Sequence, residues 1–432
     1  MSINRCHLRV FQLLALITAC ALSFFLSTSC GKQTPFDSKD EGGIGDVRSI
    51  FNAMTPGEKA AQVLMTGIDG KESFAKYLYG HFEGTVPGAI LLFKSNVTDS
   101  PEGVFTFLQD CDRAFDSLSS PAPVLFAIDH EGGLVYRMGT VTSHLPSAAD
   151  VATHLDVATA RALYESAGTQ LSTLGIHMNL APVAETLMDE NKEFLGTRSF
   201  SSSGKLASAY AAAAVYGYQK AGVAAVVKHF PGNGSGDPHR KLPVIDVSRK
   251  ALEKNFIAPF KATMKSRPDA VLVSHVIVSA IDPDAPFCLS HRGVTGLLRR
   301  ELGFDGLVIT DDIAMSALSK NGYEPEQAAV LALRAGCDMI MTSSPDIRSV
   351  ARAIADEAIR DKQFSKRLDE AVLRVLNVKA RVGLISTSRK RFARLGHQAG
   401  GSPRSSDGFD VTGFLAARKE GDRILEEMYG KH

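Results

Sequence analysis

The segment Lys228-His229-Phe230-Pro231-Gly232-Asn233-Gly234-Ser235-Gly236-Asp237-Pro238-His239 ends an apolar run in two basic side chains. A glycine-rich loop then leads to an aspartate and a histidine two residues apart. Histidine titrates near neutral pH, and an adjacent carboxylate fixes its tautomer, so Asp237 and His239 suit a mobile proton-transfer pair. An isolated Asp-Pro-His on a solvent-exposed loop would read the same way. A second segment, Leu307-Val308-Ile309-Thr310-Asp311-Asp312, ends an apolar run in two carboxylates. Adjacent strand residues point to opposite faces, so only one of them can enter a site straight ahead. A fixed, ionised carboxylate there is a candidate nucleophile. From the pair alone, a helix cap on residues 313–318 is an equally good reading.

These residues need elements to position them. Short apolar runs recur at Val63–Met65, Ala89–Phe93, Val124–Asp129, Ile176–Leu180, Ala224–His229, Ala270–His275, Gly306–Thr310 and Met339–Met341. Helical patterns lie between them, including Gly103–Leu118, Ala158–Leu174, Lys205–Ala221, Arg249–Lys265 and Gln327–Ala335. Thr55-Pro56-Gly57-Glu58 has the form of a capping box. Strands buried on both faces read as continuous apolar runs. The alternation predicts an α/β fold, a (β/α)8 TIM-like barrel closed by a helix over Phe364–Val378, with an open doubly wound sheet as the alternative. In such a barrel, function gathers at the C-terminal strand ends. Asp129, Asn179, Lys228, His229, Ser274, His275, Asp311 and Asp312 all fall there.

The motifs resemble those of the family 3 glycoside hydrolases, in their single-domain β-N-acetylhexosaminidase branch. Ile128-Asp129-His130-Glu131-Gly132-Gly133-Leu134-Val135-Tyr136-Arg137 is similar to the family's IDQEGGRVxR block, Arg198-Ser199-Phe200 to its RSF, and Lys228-His229-Phe230-Pro231-Gly232 to its KHFPG. The resemblance implies that Asp311 is the nucleophile, that His239, oriented by Asp237, is the acid/base, and that Asp129, Arg137, Arg198, Lys228 and His229 bind the sugar. It implies Asp129 as acceptor from the C4 and C6 hydroxyls. Glu131-Gly132-Gly133 reads as a tight turn, Glu185 stands where the family often has aspartate, and His275 reads either as a support behind the site or as a packed residue, with packing favoured. The chain departs from the family's pattern with His130 for its glutamine, Leu134 for its first arginine, Asn233 for its second histidine and Pro238 for its serine. Its loop is two residues shorter, with His239 ten positions after His229.

Composition narrows the rest. Net charge is +1 with no long basic run, so nothing points to nucleic acid. No metal motif and no dinucleotide fingerprint is present, so no cofactor is expected. The start is basic, then apolar from Val10 to Leu26, then small up to Cys30, the layout of a signal peptide. Leu26-Ser27-Thr28-Ser29-Cys30 resembles a relaxed lipobox, which makes Cys30 the lipidation candidate; a plain signal peptide or uncleaved anchor is the other reading. The expected organisation is a signal over 1–29, a lipidated tether over 30–45, the barrel over 46–383 and an extension over 384–432. That extension carries a short amphipathic helix over Asp410–Tyr429, with Phe414, Leu415, Ile424, Leu425 and Met428 on its apolar face. Cys111, Cys288 and Cys337 read as buried thiols. The expectation is a monomeric, membrane-anchored envelope lipoprotein. It would release terminal β-linked N-acetylglucosamine from cell-wall or chito-oligosaccharide substrates through a glycosyl-aspartyl intermediate. A family 3 β-glucosidase or β-xylosidase, or a non-catalytic glycan-binding lipoprotein, are the alternatives.

Overall fold

The computed structural model describes residues 41–71, 82, 84–118, 120–234, 242–344, 346–385 and 408–430. Asp237, His239 and Cys30 lie outside the described residues, as does most of the predicted tether. Eight strands are parallel: β1 (Leu64–Gly67), β2 (Ala89–Leu92), β3 (Leu125–Ile128), β4 (Met178–Asn179), β5 (Ala224–Phe230), β6 (Ala270–Val273), β7 (Leu307–Thr310) and β8 (Ile340–Met341). They pair in the order β8-β1-β2-β3-β4-β5-β6-β7. A parallel bridge between Ile309 and Met339 joins the last to the first, so the sheet closes. The expected barrel is present.

Closure explains why the strands look uniformly apolar. Side chains alternate between an inner cluster, with Met65, Leu91, Ala127, Val226, Leu272 and Ile309, and an outer one, with Ile90, Phe126, Val227, Val271 and Val308. The outer set packs under helices such as Pro101–Ser117, Val157–Thr173, Gly204–Lys220 and Pro325–Ala335. The inner cluster continues into Val375, Val378, Val382 and Leu384, so the end of the helix Lys362–Arg381 plugs the floor. Each such buried side chain contributes roughly 1.5–3 kcal/mol.

Local signals set the helix starts. Thr55 and Glu58 form the capping box reciprocally, and Ser100, Ser147 and Asp156 cap the helices that follow them. The predicted helix over Arg249–Lys265 is interrupted by a π turn at Glu253–Ile257. The C-terminal helix Val411–Tyr429 lies against Val157–Thr173. Gly421 permits the approach, since a Cβ there would sit 2.7 Å from Ser166 Oγ. Phe414, Ile424, Leu425 and Met428 are buried as expected, but Leu415 is 55% exposed and is not on the packed face. No described helix is long and apolar enough to cross a membrane.

Candidate active site

The inner alternation predicts what reaches the barrel mouth. Asp129 continues the inward series Leu125, Ala127; Lys228 continues Ala224, Val226; Asp311 continues Leu307, Ile309. Three successive odd-numbered strands therefore send an ionisable side chain into one upper layer, the arrangement expected of such barrels. Lys228 Nζ lies 2.5 Å from Asp129 Oδ1 and 2.6 Å from Glu131 Oε1. Burial alone would lower the Lys228 pKa, but the two carboxylates outweigh it and hold the ammonium above its ordinary value.

Glu131 is the residue that a turn reading misses. Gly132 and Gly133 do adopt positive φ, 100° and 55°, and make the turn. The Glu131 carboxylate is nevertheless buried, and Arg198 clamps it with Nε at 2.8 Å and Nη2 at 2.7 Å. Burial raises the Glu131 pKa, but Lys228 and Arg198 more than reverse this and push it well below the carboxylate range. Asn179 holds the preceding residue from both sides. Its Oδ1 accepts from His130 N–H at 3.0 Å, and its Nδ2–H donates to His130 O at 2.9 Å.

His229 joins the same network. Its Nδ1 is 2.7 Å from Glu185 Oε1, and Arg198 Nη2 approaches its Nε2 at 3.4 Å. A carboxylate on one ring nitrogen and a guanidinium near the other fix the orientation of the ring. Glu185 also accepts from Asn233, through the backbone N–H at 2.6 Å and the side-chain amide at 2.9 Å. Asp129 and Arg137 are the looser pair, 3.6 Å apart, with side chains 24% and 32% exposed.

The two aspartates part company. Asp312 Oδ1 accepts backbone N–H groups from Ala314 and Ser343, both at 2.9 Å, so this carboxylate ties the β7 and β8 loops together. Among the described residues, the Asp311 carboxylate accepts one hydrogen bond, from the Asp312 N–H at 2.9 Å. Burial would raise its pKa. His275, His229, the Asp312 N–H and Lys228 together outweigh that and hold it below the ordinary value, so the carboxylate is ionised. His275 is buried and not merely packed: Nε2 meets Asp312 O at 2.9 Å and Nδ1 meets Cys288 Sγ at 3.1 Å. It braces the backbone beside Asp311.

The structure thus gathers Asp129, Arg137, Arg198, Lys228, His229 and Asp311 at one end of the barrel and adds Glu131, Glu185, Asn233 and His275. Among the described residues, no group of His, Cys, Asp and Glu could hold a metal ion.

Residues 55–378 match the model of the glycosyl hydrolase family 3 N-terminal domain. The chain belongs to glycosyl hydrolase family 3. A β-hexosaminidase of Stenotrophomonas maltophilia is 30% identical over 377 residues, 85% of this chain and 99% of that protein. The β-hexosaminidase LpqI of Mycobacterium tuberculosis is 28% identical, over 76% of this chain and 83% of its own length. Among solved structures, a family 3 β-N-acetylglucosaminidase from Paenibacillus sp. superposes with a TM-score of 0.74 at 31% identity, covering 87% of this chain and 69% of that one. The family match spans all eight strands, so family 3 membership and the barrel mouth belong to the same part of the chain.

Proposed function

We propose that the chain is a retaining β-N-acetylhexosaminidase that removes terminal β-linked N-acetylglucosamine from cell-wall or chito-oligosaccharide fragments. The observation that carries the reading is Asp311: a half-buried, ionised carboxylate at the mouth of a family 3 barrel, with His275, His229 and Lys228 near enough to hold its pKa down. A carboxylate so placed can attack the anomeric carbon without first losing a proton. The C1–O bond to the leaving group breaks as the bond to Asp311 forms, and the departing oxygen takes a proton from His239, oriented by Asp237. Water then attacks C1, gives a proton to His239 and frees Asp311, and two displacements leave the configuration retained. Asp129 and Arg137, the half-open pair, are the acceptor and donor for sugar hydroxyls. Arg198, Lys228 and His229 complete that set, held in place by Glu131 and Glu185.

Cys30 is assigned the lipid, with residues 31–45 as the tether and the cell envelope as the location. A monomer is sufficient for this site, since every residue assigned to it comes from one chain.

The test is hydrolysis of aryl β-N-acetylglucosaminide by the soluble segment from Gly31 onward, beside aryl β-glucoside and the Asp311→Ala variant. Turnover of the acetamido substrate, lost in the variant, is the expected result. Preference for the glucoside, or near-full activity in the variant, would overturn the assignment.

A further inference from the structure

The C-terminal helix Val411–Tyr429 supplies no residue to the site, yet it lies against the loop that carries Arg137. That loop, residues 129–147, leaves β3 with Asp129 and brings Arg137 back beside it. Its far end turns through Thr142 and Ser143, which are buried.

Two serines make the contact with the helix. Ser143 Oγ donates to Arg418 O at 3.0 Å, and Ser166 Oγ, from the helix Val157–Thr173, donates to Ala417 O at 2.7 Å. Gln170 ties both from behind: its Oε1 accepts the Ser143 N–H at 2.8 Å, and its Nε2 lies 3.3 Å from each hydroxyl. Arg418 Nη1 adds a longer bond to Val141 O at 3.4 Å. Gly421 lets the helix come this close, since a Cβ there would stand 2.7 Å from Ser166 Oγ and 3.0 Å from Ser143 Oγ. Neither hydroxyl can swing aside without giving up its bond to the helix.

The same turn is held from the side of the site. The Tyr136 hydroxyl lies 3.0 Å from Ser143 O, 3.1 Å from Thr142 O and 3.2 Å from Thr142 Oγ1. Burial raises its pKa, so the phenol stays protonated and donates. Its ring tilts over His130 with centroids 4.7 Å apart, and His130 Nδ1 accepts the Arg137 N–H at 3.2 Å. Arg137 is not clamped as Arg198 is: its guanidinium stands 3.6 Å from Asp129, and its Nε has no hydrogen-bond partner among the described residues. Its position therefore depends on where the loop puts its backbone. We propose that the C-terminal helix is a positioning element of the active site: by fixing residues 141–143 it fixes Tyr136, through Tyr136 the place of Arg137, and thereby the affinity for the sugar. This rests on the reading above of Arg137 as a donor to sugar hydroxyls. A residue that holds the sugar alike in ground and transition state changes KM and leaves kcat alone. A helix that only stabilised the barrel would change the folded fraction and leave KM untouched.

The experiment measures kcat and KM on an aryl β-N-acetylglucosaminide for the full chain, well below each melting midpoint. The variants are Gly421→Val, which the two serine hydroxyls do not admit, and Tyr136→Phe, which removes the relaying hydroxyl, keeps the ring on His130 and serves alone should Gly421→Val not fold. Each is repeated in an Arg137→Ala background, and Leu415→Ala, on the exposed side of the same helix, is the control. Gly421→Val is expected to raise KM about ten-fold and Tyr136→Phe several-fold, both with kcat per folded molecule within about two-fold of wild type. In the Arg137→Ala background neither is expected to raise KM by more than about two-fold further, because the helix then has nothing left to position. Leu415→Ala should match the wild type. An unchanged KM in either folded single variant overturns the proposal. So does a KM rise of undiminished size in the Arg137→Ala background, which would mean that the helix acts on another part of the mouth. Absence of turnover by the wild type would sink the glycosidase reading itself, and this inference with it.

Discussion

Just before β8, Asp338 is fully buried among Arg299, Arg367 and Arg374; at the mouth, Lys228 is buried between Asp129 and Glu131. Both are buried ion clusters, and their bonding differs. The Asp338 carboxylate also takes the Val308 N–H, and its arginines donate onward to backbone carbonyls, Arg299 to Phe304 and Gly306, Arg367 to Cys337. The Asp338 side chain is fully shut off from solvent. At the mouth Asp129 keeps a quarter of its side chain open, its Arg137 partner stands at 3.6 Å, and Asp311 is ionised with one hydrogen-bond donor among the described residues. Buried charge by itself marks a brace. Buried charge with capacity left toward an opening marks a site.

The contrast breaks most sharply at Asp311 and Asp312. Asp311→Asn keeps the shape but cannot form the glycosyl ester, and kcat/KM on an aryl β-N-acetylglucosaminide is expected to fall roughly 10^4-fold or more. Asp312→Asn keeps an oxygen for Ala314 and Ser343, and a loss of no more than about ten-fold is expected. Equal losses in the two variants would show that the neighbours are not divided into nucleophile and brace.

The two clusters can then be compared directly. Asp338→Asn strips the charge from among three buried guanidiniums and should destabilise the fold by about 3–5 kcal/mol. Its kcat/KM per folded molecule should match the wild type. Lys228→Met leaves Glu131 and Asp129 without their shared cation and should lower both stability and kcat/KM, the latter about 10^2-fold or more. Urea midpoints beside initial rates read both effects. A catalytic defect in Asp338→Asn at full folding would dissolve the distinction.

Smaller still is a pH effect on stability. Burial first, then nearby positive groups, push His130 and His177 down to about 3. The unfolded chain protonates them near 6.5. Below that pH the unfolded state binds protons that the folded state refuses, so stability falls as pH drops from 6.5 toward 3, and above 6.5 these groups contribute no slope. Each histidine adds about 1.4 kcal/mol per pH unit within the window. His130 lies at the mouth and His177 in the wall, where Nδ1 accepts the Phe126 N–H at 3.1 Å. His177→Gln should flatten the urea-midpoint profile between pH 6.5 and 4 relative to wild type, with no change in the pH dependence of kcat.

Much of the frame was legible in the sequence, because a closed parallel sheet buries both faces of every strand and leaves continuous apolar runs. All eight runs became strands, with ends moved by one or two residues. β4 shrank most, to Met178–Asn179, since His177 bonds Phe126 O without extending the ladder. Asp129, Lys228 and Asp311 were legible because each ends such a run. Glu131 was not: beside Gly132 and Gly133 it read as turn, and its clamp depends on Arg198, 67 residues away, and on Lys228. The C-terminal helix showed its apolar pattern, but where it docks depends on Gly421 meeting Ser166, a contact no local pattern encodes.

The smallest expected effect tests whether the mouth's supports tolerate the chain's own departures from its family. Asn233 stands where the resemblance places a histidine, and its amide gives Glu185 one of the hydrogen bonds that steady the carboxylate beneath His229. Asn233→Ala removes that side-chain donor but leaves the backbone N–H at 2.6 Å in place, so Glu185 remains partly held. A loss of one bond to a charged group implies a fall in kcat/KM of roughly ten-fold. Asn233→His can return an N–H to the same carboxylate, and kcat/KM within about three-fold of wild type is expected. Both variants should melt within a few degrees of wild type, because neither opens a large cavity. Rescue by histidine, with alanine impaired, would show that the position serves Glu185 through a single N–H. Histidine no better than alanine would mean that the turn through Gly232, where a Cβ would already meet Phe256 at 2.9 Å, leaves no room for a ring in this shorter loop.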